Sequence, residues 1–363
     1  MATIILGDIV EVIKETVHNP QESGFQYFVG LEHYDSGEPL ITRYATPDNL
    51  TSSVKHFAKG DILVARRNVY LKRASLVDFE GVTSGDSIVL RAKDKKYQRI
   101  LPFILNSDDF WDYAEQNSDG TMSKRLSPAD LLDYEFEEPE NIEVLADKLW
   151  AAYRVKESYK KLLAATDDML KAKFIEMFGE EEKITLESIA SSWSKGQSFS
   201  KNDIVDEGST PCIHYGQLYK YGYVINKVFS ATNASAKATS TRGDILFPAS
   251  DVTPRGLARC SCIDLDGVIL GGDIIVMHPI EGIDSIYLSY AINQQTNQLL
   301  QLVTGSVVRH MSAKSLKTVK VPLPPLPLQQ QFVEIATQAE ATKESLRKSI
   351  ENIDQVIKSL INQ

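Results

Sequence analysis

Residues 321–363 constrain this chain more than any other stretch. They read VPLPPLPLQQQFVEIATQAEATKESLRKSIENIDQVIKSLINQ. Prolines at 322, 324, 325 and 327 fix φ and lack backbone donors, so 321–328 is expected to be extended and to end whatever precedes it. Pro327 then suits the first turn of a helix, where a missing N–H costs nothing. From Phe332 onward there is no Gly or Pro, and apolar residues fall at every seventh position: Phe332, Ala339, Leu346, Ile353 and Leu360. Ile335, Ile350, Val356 and Ile357 widen that line into a stripe, with Glu, Lys, Arg and Gln on the other faces. The spacing predicts a coiled-coil seam. One stripe cannot bury itself, so the helix needs a partner.

The same chain offers one. Between Ile142 and Phe178 a second stretch free of Gly and Pro carries Leu145, Leu149, Ala152, Tyr159, Leu163, Met169, Leu170, Phe174 and Met177 at three- and four-residue steps. Gly179 follows as a stop. Leu149, Leu163 and Leu170 are expected to face Phe332, Leu346, Ile353 and Leu360 across the seam. At about 1.5 Å per residue each helix is about 50 Å long. Both exceed an ordinary globular helix.

The rest of the chain is written twice. Residues 59–65 read KGDILVA and 242–248 read RGDILFP. DFEGVTSGDSIVL (78–90) aligns with DLDGVILGGDIIVM (264–277), and GTMSKRLSPADL (120–131) with GSVVRHMSAKSL (305–316). Three ordered matches at offsets of 183 to 187 residues mark a duplicated domain. FQYFVGLE (25–32) and TPCIHYGQ (210–217) correspond loosely. Each copy reads as a mixed α/β unit of short strands, with Gly-Asp turns at 60/61, 85/86, 243/244 and 272/273. Residues 100–116 and 284–303 read as amphipathic helices. The fold class is therefore α+β: two duplicated mixed domains, 1–140 and 180–321, with a central helix at 141–179 and a junction plus helix at 322–363.

No phosphate-binding loop, dinucleotide fingerprint, Asp/Asn-Pro-Pro-aromatic tetrad, G-x-S-x-G or H-E-x-x-H is present. Cys212, Cys260 and Cys262 form no even framework, and with His214 they lack zinc spacing, so neither disulfides nor a metal is expected. No apolar run is long enough to span a bilayer, and the start carries no signal peptide, which points to the cytoplasm. The net charge of −10 argues against a generic basic nucleic-acid binder and leaves room for a local basic surface. Catalysis has no motif to rest on.

What is present is basic and aromatic. KHFAKGDILVARRNVYLKR (55–73) carries Lys55, Lys59, Arg66, Arg67, Lys72 and Arg73 against the single acid Asp61, with Asn68 and Tyr70 interleaved. Arg suits guanine edges or phosphate, Asn suits adenine, and Tyr and Lys can hold the backbone. The second copy is sparser there, with Arg255 and Arg259. It offers instead Lys195, Ser198, His214, Tyr215, Gln217, Tyr219 and Lys220 upstream, and Arg309 in the GSVVRHMS segment. Copies with divergent loops suit two different ligands. A solvated surface paired with carboxylates is the competing reading for all of these positions.

With VPLPPLPLQQQ before a seam helix, paired GDIL strands, GSVVRHMS and CIHYGQLYKYG, the chain resembles the specificity subunits of type I restriction–modification systems over nearly its full length. The resemblance implies two target-recognition domains, two long helices in an antiparallel coiled coil, and no catalysis by this chain. It implies recognition of a bipartite double-stranded DNA target. It implies docking of two methyltransferase subunits, which would use S-adenosylmethionine, and of restriction–translocase subunits; phage anti-restriction DNA mimics are further expected partners. The first copy departs from the pattern, with DYEFEEPENIEVLADKL (133–149) where the proline junction would stand. A tandem adaptor whose helices bind another protein is the alternative function. Salt-dependent, sequence-selective duplex binding separates the two.

Overall fold

The computed structural model describes residues 2–120, 123–198, 201–205 and 208–362. The chain forms two compact units: unit 1 comprises 1–161 with 346–363, and unit 2 comprises 162–345. The division therefore cuts both long helices, Ile142–Phe178 and Leu326–Ile361, so each unit holds a piece of each.

In unit 1 the main sheet runs Val10–Ile13, Ser87–Ala92, Ile62–Ala65, Ala74–Leu76, all antiparallel. In unit 2 the order is Ala190–Lys195, Ile274–Pro279, Asp244–Pro248, Ser261–Ile263, and a parallel edge strand Val224–Ile225 extends it. The registers correspond: Ile62 lies opposite Leu90, and Ile245 opposite Met277. Each unit adds a second, smaller sheet with one parallel pair, Phe28–Val29 with Gly81–Thr83 in unit 1 and Cys212–Ile213 with Ile269–Leu270 in unit 2. The repeat read from the sequence is thus a repeat of topology.

The central strand of each main sheet is buried on both faces because its alternate side chains feed two cores. Ile62 and Val64 enter the core formed with the helices, whereas Leu63 and Ala65 enter the one shared with Val29, Phe57 and Val89. Ile245 and Phe247 part from Leu246 in the same way. Gly60 and Gly243 both adopt φ +92°, a left-handed conformation that favours glycine. The following aspartate closes the turn: Asp61 accepts from the Ala58 N–H at 2.8 Å, and Asp244 from the Thr241 N–H at 2.8 Å. The Gly-Asp pairs at 60/61 and 243/244 are fold elements.

The helices expected over 100–116 and 284–303 each divide in two. In unit 1 they are Lys95–Ile104 and Asp108–Gln116, because the Ser107 hydroxyl accepts from the Phe110 N–H and starts a new helix. In unit 2 they are Ser285–Asn293, capped by Asp284, and Thr296–Gln301.

The long helices pack antiparallel within each unit. In unit 1 the core that holds Leu149 and Tyr153 is covered by Ile357, Leu360 and Ile361, and Lys156 bridges to Asp354 at 2.7 Å. In unit 2 Leu170, Phe174 and Phe178 share a core with Phe332, Ala336 and Ala339, and Lys343 bridges to Asp167 at 2.6 Å. Of the seam residues, Leu149, Leu170 and Phe332 are buried, while Leu163, Leu346, Ile353 and Leu360 are half-buried. Met169 and Val356 are exposed, contrary to their place in the expected stripes. Each lies next to a better-placed residue, Leu170 and Ile357, and one residue turns the helix by about 100°. The junction holds by side-chain bonds as well as by proline. Buried Gln329 donates to the Pro324 carbonyl at 2.8 Å and accepts from the Asp284 N–H at 2.9 Å, and the Tyr287 hydroxyl donates to Pro322 at 2.9 Å.

Candidate nucleic-acid interface

The unit 1 strand Ile62–Ala65 delivers its C-terminal end to a loop that pairs with the segment before Leu126. Arg66 N–H donates to the Asp86 carbonyl at 2.9 Å, Leu126 N–H to Arg66 at 2.9 Å, and Asn68 N–H to Lys124 at 2.9 Å. Arg67 and Arg125 face each other across an antiparallel bridge. Asp86 stands between them, 3.5 Å from Arg67 Nη1 and 3.3 Å from Arg125 Nη2. The Arg66 guanidinium has no hydrogen-bond or ion-pair partner among the described residues, and its Nε is buried. Half-buried donors without acceptors suit an incoming anion or base edge.

The other residues of the 55–73 run do not form one surface. Lys55 joins the cluster, donating to the Ser87 carbonyl at 2.6 Å; burial, and then the Arg66 charge, lower its pKa. Asn68 also joins it: at φ +55° it presents an amide oxygen that accepts from the Ser123 hydroxyl at 3.1 Å. Lys59 sits before Gly60, at the opposite end from Arg66 of a four-residue buried strand about 13 Å long at 3.3 Å per residue. Tyr70 is 62 % exposed on the turn Val69–Leu71. Lys72, held at φ +47°, pairs with Asp108 at 2.9 Å, an acid that also takes Lys358 at 3.1 Å. Arg73 serves the backbone, donating to Leu31 and Arg67 carbonyls at 2.9 Å each. Its guanidinium orients the loop that carries Arg67.

In unit 2 the same backbone frame carries different side chains. Ala249 and Ser250 stand where unit 1 has Arg66 and Arg67, and His310 stands for Arg125. Arg309 lies opposite Asp251 and donates to the Gly305 carbonyl. Arg259 donates to the Tyr221 carbonyl at 2.6 Å and lies 5.9 Å over the Tyr219 ring. Burial, reinforced by Asp251, pushes the Tyr219 phenol up. His214 and Gln217 cap the turn Tyr215–Lys220: the His214 ring accepts from Gly216 N–H, and Gln217 accepts from His214 N–H. Burial lowers the His214 pKa. Tyr215 is half-buried beside His214, while Lys195, Ser198, Lys220 and Arg255 are exposed. Unit 2 therefore places Tyr219 beside Asp251, Arg259 over the Tyr219 ring, and Arg309 opposite Asp251 in the strand pair.

The sequence reading missed Asp86, Ser123 and Arg125 in unit 1 and Asp251 in unit 2. The GTMSKRLS/GSVVRHMS repeat was the signal for Ser123 and Arg125, and the Gly-Asp pair at 85/86 the signal for Asp86.

A hydrolytic arrangement also presents itself in unit 2. His278 Nδ1 lies 2.6 Å from Asp244, and its Nε2 lies 2.9 Å from the Ser194 hydroxyl. At the same place in unit 1, Asp61 takes Arg91 through two 2.7 Å bonds. The pair is thus a fastener for the buried aspartate, with His278 in the role of Arg91. All three cysteines are buried and free, with burial pushing the Cys262 thiol up to about 12. The described residues hold no group of three His, Cys, Asp or Glu fit for a metal ion, and no helix long and apolar enough to cross a membrane.

Residues 179–355 match the family model described as the type I restriction modification DNA specificity domain. Those residues therefore carry a DNA specificity domain of the type I restriction–modification kind. The structure is similar to the S subunit of a type I restriction–modification system from M. genitalium, with TM-score 0.58, 14% identity, and 99% of this chain and 94% of that one covered. It is also similar to a chain solved in a study of complex assembly and conformational transition of the type I R-M system, with TM-score 0.57, 17% identity, and 99% and 96% covered. Two mixed-sheet domains and two packed long helices are the shared fold. The chain thus shares the fold of type I specificity subunits and carries a DNA specificity domain at 179–355.

Proposed function

We propose that this chain is the non-catalytic specificity subunit of a type I restriction–modification complex and reads a bipartite double-stranded DNA target, one half-site per unit. The observation that carries this reading is the shared frame with unlike side chains. Arg66 N–H bonds Asp86 as Ala249 N–H bonds Asp273, and Leu126 N–H bonds Arg66 as Met311 N–H bonds Ala249. Backbone groups hold the frame, so the side chains at these positions are free to specify different bases.

In unit 1, Arg66, Arg67, Asn68 and Arg125 contact bases or the flanking phosphates, with Lys55, Lys59 and Tyr70 on the backbone. In unit 2, Tyr219, Arg259 and Arg309 are the leading candidates, with the exposed Lys195, Ser198, Lys220 and Arg255 as further ones. Lys72, Arg73, His214 and Gln217 support these surfaces through the bonds described above. Two methyltransferase subunits using S-adenosylmethionine, and restriction–translocase subunits, dock on the specificity subunit in a prokaryotic cytoplasm. Phage DNA mimics would compete for the same basic surface.

Methylome sequencing of a host with and without the gene tests this reading. One new two-part motif is expected, and replacing 1–140 by a relative's domain changes only one part of it. Loss of no motif on deletion, or a change in both parts on replacement, would refute it.

A further inference from the structure

Unit 1 concentrates Lys55, Arg66, Arg67 and Arg125 around one carboxylate, Asp86. The backbone of Asp86 is fixed from behind. Its N–H donates to the Ser84 hydroxyl at 3.2 Å, its carbonyl accepts from Arg66 N–H, and Ser87 N–H closes the turn onto Ser84 at 3.0 Å. Its contacts with the two guanidiniums are loose, at 3.5 and 3.3 Å, against 2.7 Å in the Asp61–Arg91 fastener. Charge-assisted bonds at full strength lie near 2.7–2.9 Å. Asp86 therefore holds Arg67 and Arg125 without saturating them.

We infer that Asp86 is a specificity-determining residue: a built-in anion that competes with DNA phosphate for Arg67 and Arg125, released to a target that also offers base-edge acceptors. This rests on the reading that the loop contacts DNA. A phosphate supplies only what Asp86 already supplies, so non-target duplex gains little by displacing it. A guanine edge adds two directed acceptors and tips the exchange. Unit 2 contains its own control. Asp273 occupies the equivalent turn, yet accepts from the Ser250 hydroxyl at 2.8 Å where unit 1 has Arg67.

The test is binding of the full chain to a random-sequence duplex pool across a salt series, with sequencing of the retained fraction. Asp86→Asn is expected to tighten pool binding about 3- to 10-fold at low salt and steepen the logarithmic salt slope by about one counterion. The sequence enrichment should fall for one half-site only. Asp86→Glu, which keeps the charge, should restore the slope, and Asp273→Asn should leave it unchanged. Unchanged or weaker pool binding by Asp86→Asn, with enrichment intact, overturns the inference. If Arg67→Ala and Arg125→Ala leave pool binding and enrichment unaltered, the loop does not contact DNA, and the reading beneath the inference falls as well.

Discussion

Phe332 is the residue through which the C-terminal helix enters the unit 2 core, and its truncation can be worked from the structure. Its ring is fully buried and lies 5.3 Å from Phe174, 5.7 Å from Phe178, 5.5 Å from Tyr290 and 6.3 Å from Tyr287, centre to centre. Removing a buried Phe ring costs about 3–5 kcal/mol, and lost edge-to-face contacts put this site toward the upper part of that range. A compact unit spanning 162–345 moves by about 2–4 °C for each kcal/mol. Phe332→Ala should therefore lower its melting temperature by about 8–20 °C. Thermal unfolding followed by near-UV circular dichroism reads the loss directly, since four aromatic partners surround the vacancy. Leu328→Ala, four residues earlier and 39 % exposed, should shift it by less than about 2 °C. A shift for Phe332→Ala no larger than that of Leu328→Ala would refute the claim that this ring anchors the helix.

Arg67→Ala is expected to cost about 1–3 kcal/mol on the cognate duplex and relax one position, whereas Lys59→Ala weakens all sequences alike and reduces the salt slope by about one; competition binding separates them. His56 bonds Glu15 and Glu80 at 2.9 Å each, and although burial opposes its charge, these carboxylates raise its pKa above 6.5. A raised folded pKa stabilises fully below 6.5 and is lost as pH rises through the folded value, so unit 1 should melt higher at pH 6 than at pH 8, and His56→Gln should shrink that difference. Lys343 is buried, but its partners Asp167 and Glu340 are partly exposed. Lys343→Met, which keeps the packing, should cost less than about 1 kcal/mol in chemical denaturation, and Lys343→Ala about 1–3 kcal/mol.

The long helices and the duplication were legible because both are periodic. A heptad line survives any tertiary detail, and three matches at one offset need no structure. The strands at 61–65 and 244–248 were legible for a related reason: continuous apolar runs after Gly-Asp have few other ways to fold. The helix break at Ser107 was readable in hindsight, as N-S-D-D carries a cap and two first-turn acids, but the apolar spacing on either side masked it. The arginine loop was only half legible. Charge density along 55–73 grouped Lys59, Lys72 and Arg73 with Arg66 and Arg67, yet the strand separates Lys59, and Asp108 and two carbonyls occupy Lys72 and Arg73. Asp86 and Arg125 lie 19 and 58 residues beyond Arg67, so only tertiary pairing reveals them.

The two copies also show which end of the central strand can change. At its N-terminal end the glycine, the left-handed turn, the buried aspartate and the N–H it accepts all recur, and only the outer partner differs, Arg91 in one copy and His278 in the other. At the C-terminal end the backbone hydrogen bonds and the Asp86/Asp273 turn recur, while the strand's own side chains pass from Arg-Arg to Ala-Ser. A bond from a side chain restricts what may replace it, whereas a bond from an N–H leaves the side chain free. The strand is therefore fixed at the end where its aspartate is buried and variable at the end that meets the second basic segment. A scaffold that must keep its fold while its target changes needs this division, because the free energy that holds the loop in place owes nothing to the residues that read.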